Sequence, residues 1–367
     1  MFRHIKLDQI QDLIKHLKDY TFQHVYISGA YYRYPDGHTM NQKDWLGMDF
    51  LIDIDCDHFD TPCKLTHDKW TCKKCGNSGA GAPPEMCECG NKSFDEFTWI
   101  CDECLEQAKK EVFKLLDLFL PTFGIDPNDL HIQFSGNRGY HVLVQTKELQ
   151  NMDQLARREL VDFLTGTGLN LRYHGKVDQN VFIPSEAGER FGWGKYIYDG
   201  LIDFFRNCND NILNEINLHK KTKDFIKNNR ELLLNELTSS THRIKSLKPN
   251  IWNKIVQYIK DTIKVNLDTP VSIDLHRLIR FANSIHGKTG FLVQKLNIDD
   301  LKDHDPFYDS IVFNDKIYVK VEISECPKFK IKDETYGPFK EKESIELPLP
   351  AAVFVLCKQV ANYINSP

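Results

Sequence analysis

Two aspartates, Asp53 and Asp55, stand at the end of an apolar stretch within residues 48–60, which read M-D-F-L-I-D-I-D-C-D-H-F-D. Because side chains alternate along a β-strand, both carboxylates would lie on the face opposite a buried apolar row. Carboxylates this close repel each other unless a cation lies between them, and oxygen ligands suit Mg²⁺ or Mn²⁺. The pattern predicts a divalent-metal site, although a strand that ends in an acidic, solvated turn would contain the same residues.

A cysteine-rich segment follows, since eight of the eleven cysteines lie between residues 56 and 104. In a chain without a secretory signal, clustered cysteine pairs favour metal binding over disulfides. Two short knuckles, each with a glycine that eases the turn, predict one tetrahedral Zn²⁺ site. Its four predicted ligands are Cys72, Cys75, Cys87 and Cys89.

A second zinc site is predicted from the ligand types that remain in this segment. Its four candidate ligands are Cys63, His67, Cys101 and Cys104. Crossed pairings between the two sets, and a single zinc ion instead of two, fit the same spacing. The cysteines interpreted as buried hydrophobic residues are Cys56, Cys208, Cys326 and Cys357.

The loop 135–141, S-G-N-R-G-Y-H, lies between two apolar runs that each predict a strand. Gly136 and the second glycine allow a tight backbone that can present N–H groups to an anion. Arg138 supplies a planar guanidinium suited to phosphate oxygens, and Ser135 and His141 can add hydrogen-bond donors. Considered alone, an ordinary hairpin loop with a solvated arginine explains the loop as well.

A third segment begins at Asp268 and ends in the run H-G-K-T-G. Its apolar spacing predicts a helix over about 273–283 with Ser272 as its N-cap. Arg277 and Arg280 would then lie near one face of that helix, where pairing with nearby acids is the alternative to a binding role. The polar residues of the final run include His286 and Lys288.

The elements that must position these residues mix helices and strands. Apolar periodicity and turn residues predict helices within 1–20 and over 103–119, the latter stopped by Pro121, and near 153–165 and 350–364. Strands are predicted at 131–134 and 140–144, and a hairpin with strands 311–313 and 317–323.

The composition changes between residues 206 and 262, where Asn and Lys rise and Gly is absent. This change predicts a helical subdomain inserted between a first part, 1–205, which contains a zinc module at 61–104, and a second part, 263–367. A peripheral pair of long helices fits the same segment.

The overall composition is ordinary for a globular protein, with 41% hydrophobic and 27% charged residues. The net charge of −5 argues against a uniformly basic surface, but a local basic groove could still bind nucleic acid. No apolar run approaches the length of a membrane span and no signal peptide opens the chain. The expectation is a cytoplasmic protein that does not enter a membrane.

Five features, taken in their order along the sequence, resemble one family. They are the acidic strand, the cysteine module, the S-G-x-R-G-x-H loop, the R-L-I-R run and the S-x-H-G-K-T-G run. The chain is similar to the small, catalytic subunit of archaeal and eukaryotic DNA primases, and closest to archaeal members. Further similar runs are W-L-G at 45–47, W-I-C-D-E-C-L at 99–105 and L-P-A-A-V-F-V-L-C at 349–357.

The resemblance implies a mixed α/β primase fold with a zinc-binding insert and a smaller helical subdomain. It implies template-directed synthesis of short RNA primers and leaves open that DNA primers are made as well. The residues that match the catalytic metal ligands are Asp53, Asp55 and Asp268, with Asp274 as second choice for the third carboxylate. The residues that match the nucleotide contacts are Ser135, Gly136, Arg138, His141, Arg280, His286 and Lys288.

The implied partners are a primase large subunit in a heterodimer, a single-stranded DNA template and nucleoside triphosphates. Family members usually carry some tens of residues, including an Arg-Glu-Phe-type motif, before the counterpart of Phe2-Arg3-His4. A late start, a fragment or loss of the element would each explain the difference. Two other functions fit the same motifs: a stand-alone primase-polymerase of repair or plasmid type, and a non-catalytic zinc-ribbon protein that binds nucleic acid.

Overall fold

The computed structural model describes residues 2–170, 175–178, 181–184, 191–239, 245–340 and 342–364. Helices and strands alternate along the chain, which confirms the predicted mixed α/β class. The strands are β1 Tyr26–Ser28, β2 Ala30–Tyr32, β3 Trp45–Met48, β4 Phe50–Asp55, β5 Lys69–Cys72, β6 Ser78–Ala80, β7 Phe94–Phe97, β8 Leu130–Phe134, β9 Gly139–Val144, β10 Gly175–Asp178, β11 Val181–Pro184, β12 Leu278–Arg280, β13 Gln294–Leu296, β14 Tyr318–Ile323, β15 Phe329–Ile331, β16 Glu334–Tyr336, β17 Glu343–Pro348 and β18 Ala361–Tyr363.

The helices differ widely in length. They are α1 Ile10–Asp19, α2 Met40–Lys43, α3 Lys64–His67, α4 Asp102–Phe123, α5 Lys147–Gln150, α6 Gln154–Thr165, α7 Gly192–Asn207, α8 Asp210–Glu215, α9 Lys220–Asn228, α10 Arg230–Thr238, α11 Pro249–Ile263, α12 Thr269–Ser272, α13 Ile298–Asp303, α14 Pro306–Asp309 and α15 Leu349–Cys357. Among the helices of the described residues, none is long and apolar enough to cross a membrane.

The chain forms two compact units, the first of which comprises Met1–Phe113, Asp126–Val161 and Asn266–Pro367. Its central sheet is antiparallel, with the strand order β13-β8-β9-β4. Alternation along β4 leaves Phe50, Ile52 and Ile54 fully buried, as predicted. The burial of this apolar row fixes the register of the strand, because a shift by one residue would bury the aspartates instead.

A buried polar network supports the start of β4. The carboxylate of Asp49 accepts hydrogen bonds from the Tyr31 hydroxyl and from the side-chain amides of Gln145 and Gln150. The guanidinium of Arg157, which has no exposed surface, donates to four backbone carbonyl oxygens, including that of Asp49 at 3.1 Å. The residues that enter β4 are therefore held by hydrogen bonds on several sides.

Smaller sheets surround the central one within this unit. β5 pairs with β6 and β7 in a ribbon that carries the cysteine knuckles, and β14 lies between β17 and β18. β1 pairs with β12, and β2 pairs with β3.

The second unit comprises Lys114–Ile125 and Asp162–Val265. Its core is built from apolar side chains of α7 to α11, with the rings of Phe205 and Trp252 stacked 6.2 Å apart. The segment predicted as a helical insert, 206–262, is helical over α8 to α11 in its described part, and its residues 240–244 lie outside the described residues.

The helix predicted over about 273–283 is wrong, and with it Ser272 as an N-cap. The short helix α12 precedes this segment and is capped by Asp268, whose Oδ1 accepts from the Val271 N–H at 3.1 Å. Residues 278–280 form β12 instead, which pairs with β1 and buries Ile279 on one face. The apolar spacing fitted a helix, but pairing with a distant strand decided the conformation.

Three other element predictions are corrected. Residues 311–313 form no strand, and β14 pairs with β17 and β18 rather than with a local hairpin partner. The last helix ends at Cys357, not at 364, because Gln359 adopts a positive φ of 59° and the chain continues into β18. Pro121 does not stop α4, which continues to Phe123, since a proline near the end of a helix removes little of its hydrogen bonding.

Candidate active site

The predicted pair of aspartates lies at the end of β4, beside β9. Asp53 pairs with His141 and Asp55 pairs with Gly139 in the antiparallel ladder. The carboxylate oxygen Oδ1 of Asp53 lies 3.6 Å from Nε2 of His141. Strand pairing thus brings one predicted metal ligand next to the last residue of the predicted phosphate loop.

Asp268 joins this pair from a distant part of the sequence. Its backbone N–H donates to the carbonyl oxygen of Asp53 at 2.8 Å, immediately before α12. Its Oδ2 lies 3.5 Å from Nε2 of His58, in the short 3-10 helix that follows β4. The structure therefore brings Asp268, and not Asp274, into contact with the acidic strand.

The surroundings of Asp53 and Asp55 disfavour the negative charge of their carboxylates. Burial and the nearby charge of Asp268 raise the pKa of Asp53 from 3.8 to about 6. Burial raises the pKa of Asp55 from 3.8 to about 6, against the opposing effect of Arg138 and with a further contribution from Asp53. Within the described residues, Oδ1 of Asp55 is buried without a hydrogen-bond partner. Buried, mutually repelling oxygens of this kind fit a divalent cation.

The carboxylates are more widely spaced than the cysteine ligands described below. The groups of three or more ligand atoms that all lie within 4.8 Å of one another, among the described residues, are two clusters of cysteine and histidine. Asp53, Asp55 and Asp268 do not form such a group. The three carboxylates therefore do not form a closed set of ligands around one point, as the cysteines do.

The predicted phosphate loop is a tight turn between β8 and β9. The Ser135 hydroxyl accepts from the Gly139 N–H at 3.3 Å. Gly136 has a φ of +79°, and a Cβ atom there would lie 2.7 Å from the Cβ of His286. The Gly136 carbonyl accepts from the Thr289 hydroxyl at 2.5 Å. Glycine at 136 thus allows two predicted nucleotide-binding segments to pack directly against each other.

Arg138 and His141 differ in their availability for a ligand. Arg138 forms an ion pair with Asp57 at 2.6 Å and donates to the Thr98 hydroxyl at 3.1 Å. Burial lowers the pKa of His141 to about 4, so its imidazole is neutral at physiological pH despite nearby Asp55. His141 can therefore donate one hydrogen bond, whereas Arg138 keeps a positive charge beside the carboxylates.

Arg280 and His286 are linked by a residue that the sequence analysis missed, His24. Nδ1 of His24 accepts from Nη1 of Arg280 at 2.6 Å and from the Gly287 N–H at 3.3 Å. The imidazole rings of His24 and His286 lie 5.3 Å apart. The guanidinium of Arg280 also lies over the ring of Tyr26, 4.3 Å from its centroid. Alternation of His24 and Tyr26 at the start of β1 was the available signal, but only the β1–β12 pairing connects these residues to Arg280.

Two further residues lie near the carboxylates: His58, which the sequence analysis missed, and Arg277, which it named but did not assign to the site. Both oppose the rise in the pKa of Asp53. Lys288, which was predicted, is exposed, and its backbone N–H donates to Nδ1 of His286 at 3.2 Å. Carboxylates and basic groups thus occupy one part of the first unit.

The first cysteine cluster matches the predicted set and has the dimensions of a zinc site. The sulfur of Cys104 lies 3.4 Å from that of Cys63, 3.7 Å from that of Cys101 and 3.5 Å from Nε2 of His67. Tetrahedral Zn–S bonds of about 2.3 Å place two sulfurs about 3.8 Å apart. Nδ1 of His67 lies 2.7 Å from a carboxylate oxygen of Asp68, the arrangement that orients zinc-bound imidazoles.

The second cluster comprises the four cysteines of the predicted knuckles, Cys72, Cys75, Cys87 and Cys89. Its sulfur pairs lie 3.7 Å apart for Cys72 and Cys89 and 3.6 Å apart for Cys75 and Cys87. The sulfur of Cys72 accepts hydrogen bonds from the Asn91 amide at 3.3 Å and from backbone N–H groups of the knuckle. The structure therefore brings together the two ligand sets predicted from the sequence, and not the crossed pairings.

A cysteine interpreted as a buried hydrophobic residue, Cys56, connects the first cluster to the acidic strand. It has no exposed surface, and its thiol hydrogen-bonds to Cys104. Cys56 directly follows Asp55 in the sequence. The first cluster therefore adjoins the end of β4.

Carboxylates that face arginine, lysine and histidine suit a class of proteins that handles phosphate groups together with divalent ions. Residues 84–298 match the family model described as DNA primase small subunit. The chain is 32% identical to the DNA primase small subunit PriS of Methanothrix thermoacetophila, over 99% of this chain and 89% of that protein. The PriS proteins of Nitrosopumilus maritimus and Picrophilus torridus are 28% and 26% identical, over 99% and 100% of this chain and 88% and 89% of theirs. The chain belongs to the DNA primase small subunit family, as its motifs indicated.

Proposed function

We propose that this chain is the catalytic subunit of a DNA primase that joins nucleoside triphosphates into short primers on single-stranded DNA. The observation that carries the proposal is the meeting of Asp53, Asp55 and Asp268 beside the loop 135–141 and the residues Arg280 and His286. Family membership supports the same function, because the relatives are named as primase small subunits.

The three carboxylates are proposed as ligands of Mg²⁺ or Mn²⁺. When bound, these ions would activate the 3′-hydroxyl of the primer and stabilise the charge on the departing pyrophosphate. Asp53 and Asp55 present oxygens from one strand, and Asp268 presents its carboxylate from the turn before α12. The chain's part in catalysis is thus to hold negative oxygens in fixed positions before the substrate arrives.

The triphosphate is proposed to lie on the basic side of the site. Its proposed partners are Ser135, Gly136, Arg138, His141, Arg280, His286 and Lys288. His141 and His286 would bind as neutral imidazoles, since burial lowers the pKa of each, to about 4 and about 2 respectively. The guanidinium groups would supply the fixed positive charge that phosphate oxygens require.

Two structural zinc ions are proposed, one in each cysteine cluster. Closed sets of four ligands leave no open position for a substrate, so these ions would stabilise the fold and not take part in the chemistry. A primase large subunit is the proposed partner, and chromosomal DNA in the cytoplasm the proposed setting.

The test is incorporation of labelled nucleoside triphosphates on a single-stranded template, with and without the large subunit. We expect Asp55→Asn to abolish dinucleotide formation while zinc content is unchanged, and the exposed Asp60→Asn to behave as the unsubstituted protein. Normal synthesis by Asp55→Asn would refute the site. Full activity without a large subunit would favour a stand-alone primase-polymerase, and no incorporation in any condition would favour a nucleic-acid-binding adaptor.

A further inference from the structure

A lysine from the end of the chain, Lys358, lies among the basic residues of the proposed triphosphate site. It directly follows α15 and forms the C-cap of that helix. Its side chain extends over two aromatic rings, with Nζ 5.6 Å from the ring centroid of Trp99 and 5.8 Å from that of Phe354. Neither the predicted site residues nor the family motifs quoted above include it.

On one side, Lys358 lies against residues 98–99, which also contact Arg138. Trp99, whose ring faces Nζ, follows Thr98 in the sequence, and the Thr98 hydroxyl accepts from Nη1 of Arg138 at 3.1 Å. The rings of Trp99 and Phe354 meet edge to face at 5.4 Å. Lys358 and Arg138 therefore contact adjacent residues of one segment, Trp99 and Thr98.

The other side is fixed by the segment that holds His286 and Lys288. The ring of Phe354 stacks on that of Phe291 at 5.4 Å. A Cβ atom at Gly290 would lie 2.5 Å from a methyl group of Val353, so α15 packs directly on the end of the H-G-K-T-G run. Lys358 is thus connected through packed neighbours to both predicted phosphate-binding segments, the loop 135–141 and the H-G-K-T-G run.

The charges in this region do not balance. Burial, followed by the positive charge of Arg138, lowers the pKa of Lys358 to about 8, and Lys288 acts in the same direction. The charge of Lys358 also contributes to the lowered pKa of His286. Among the described residues, Nζ of Lys358 forms no hydrogen bond or ion pair, and the neighbouring Asp57 is already paired with Arg138. A partly buried cation without a partner is unfavourable, and an anionic ligand would relieve the cost.

We propose that Lys358 is a further binding residue for the phosphate groups of the incoming nucleotide, contributed by the C-terminal helix. This proposal rests on the proposed function, because it assigns the substrate of the same site. Its ammonium would form a charge-assisted hydrogen bond with a non-bridging oxygen of the β- or γ-phosphate.

The test compares Lys358→Met, Lys358→Arg and the exposed control Lys316→Met in the complex with the large subunit. Methionine keeps the packing over the rings but removes the charge, so we expect the KM for nucleoside triphosphate to rise about tenfold or more, the effect of one charge-assisted hydrogen bond. The arginine variant should recover most of the affinity. Inhibition by inorganic triphosphate should weaken in parallel in Lys358→Met, with no change in Lys316→Met.

A second measurement uses the unsubstituted protein and does not depend on a variant that folds. Acetylation of Lys358 by an amine-reactive ester, followed by mass spectrometry, should decrease in the presence of inorganic triphosphate, whereas acetylation of Lys316 should not. An unchanged KM in Lys358→Met, or equal acetylation with and without triphosphate, would overturn the proposal. If the unsubstituted complex makes no primers but triphosphate still protects Lys358, the proposed function fails and the phosphate contact stands.

Discussion

Replacing Asp55 by asparagine should stabilise the fold in the absence of divalent ions, although it removes a proposed catalytic residue. The Asp55 carboxylate is surrounded by groups that on balance disfavour its charge, and its Oδ1 has no hydrogen-bond partner within the described residues. Asparagine has nearly the same shape and no charge. Sites that hold charged groups together for catalysis often reduce stability in this way.

The size of the effect follows from the pKa of Asp55. A pKa raised from 3.8 in an unfolded chain to about 6 in the folded protein corresponds to about 3 kcal/mol, at about 1.36 kcal/mol per pH unit. Because the folded state holds its proton more tightly, folding is disfavoured as the pH rises between these two values. The penalty is complete above about pH 6 and absent below pH 3.8. Asp55→Asn should therefore be more stable than the unsubstituted protein by up to about 3 kcal/mol at pH 7.5, and equally stable at pH 3.5.

The assay is urea unfolding of zinc-loaded protein in buffer without magnesium, at several pH values, followed by addition of Mg²⁺. We expect Mg²⁺ to stabilise the unsubstituted protein and to have little effect on Asp55→Asn, since ligand binding to the folded state raises its stability. The exposed Asp60→Asn is the matched control. Lower stability of Asp55→Asn at pH 7.5, or equal stabilisation of both proteins by Mg²⁺, would show that the carboxylate is not held as described.

Three other predictions concern residues around the site. His24→Leu should weaken nucleotide binding about tenfold, and His24→Asn should restore it, because the asparagine oxygen can replace Nδ1 as acceptor for Arg280. Arg157→Met should lower the free energy of unfolding by about 4 kcal/mol in urea titrations, because four backbone carbonyl oxygens, three of them in buried hydrogen bonds, each lose a donor at about 1 kcal/mol. Cys104→Ser should abolish primer synthesis, because the first cluster adjoins the acidic strand, whereas Cys87→Ser should release one zinc ion and retain synthesis.

Each of these predictions has an outcome that would contradict it. Equal nucleotide binding by both His24 variants would mean that His24 does not orient Arg280. A loss of less than 1 kcal/mol in Arg157→Met would mean that water or backbone rearrangement satisfies the carbonyl groups. Unchanged zinc content in Cys87→Ser would exclude the second site.

The sequence predicted those parts of the site that depend on local patterns of residues. Alternation along residues 48–55 identified β4 and the placement of its aspartates, and the glycine-rich loop between two apolar runs identified β8 and β9. The spacing of the cysteine knuckles identified the ligands that lie together in space. Asp268 was assigned to the site from the family resemblance, because the residues around it do not indicate a contact with β4.

The parts that the sequence did not predict depend on contacts between distant segments. Residues 278–280 have apolar spacing that suits a helix, yet they form a strand because β1 supplies a hydrogen-bonding partner. His24 and Lys358 are ordinary polar residues in their own segments. His24 lies near the site only because β1 pairs with β12, and Lys358 only because α15 packs on the loop after β12. Long-range pairing of this kind leaves little trace in local periodicity.

The most direct test of the central claim is to locate the divalent ions. Crystals of the protein with its large subunit, grown with Mn²⁺ and a non-hydrolysable nucleoside triphosphate, would show manganese by its anomalous scattering. We predict manganese peaks within coordination distance of Asp53, Asp55 and Asp268, with the triphosphate on the side of Arg280 and His286. Manganese bound elsewhere, or a triphosphate bound without metal contact to these carboxylates, would contradict the account.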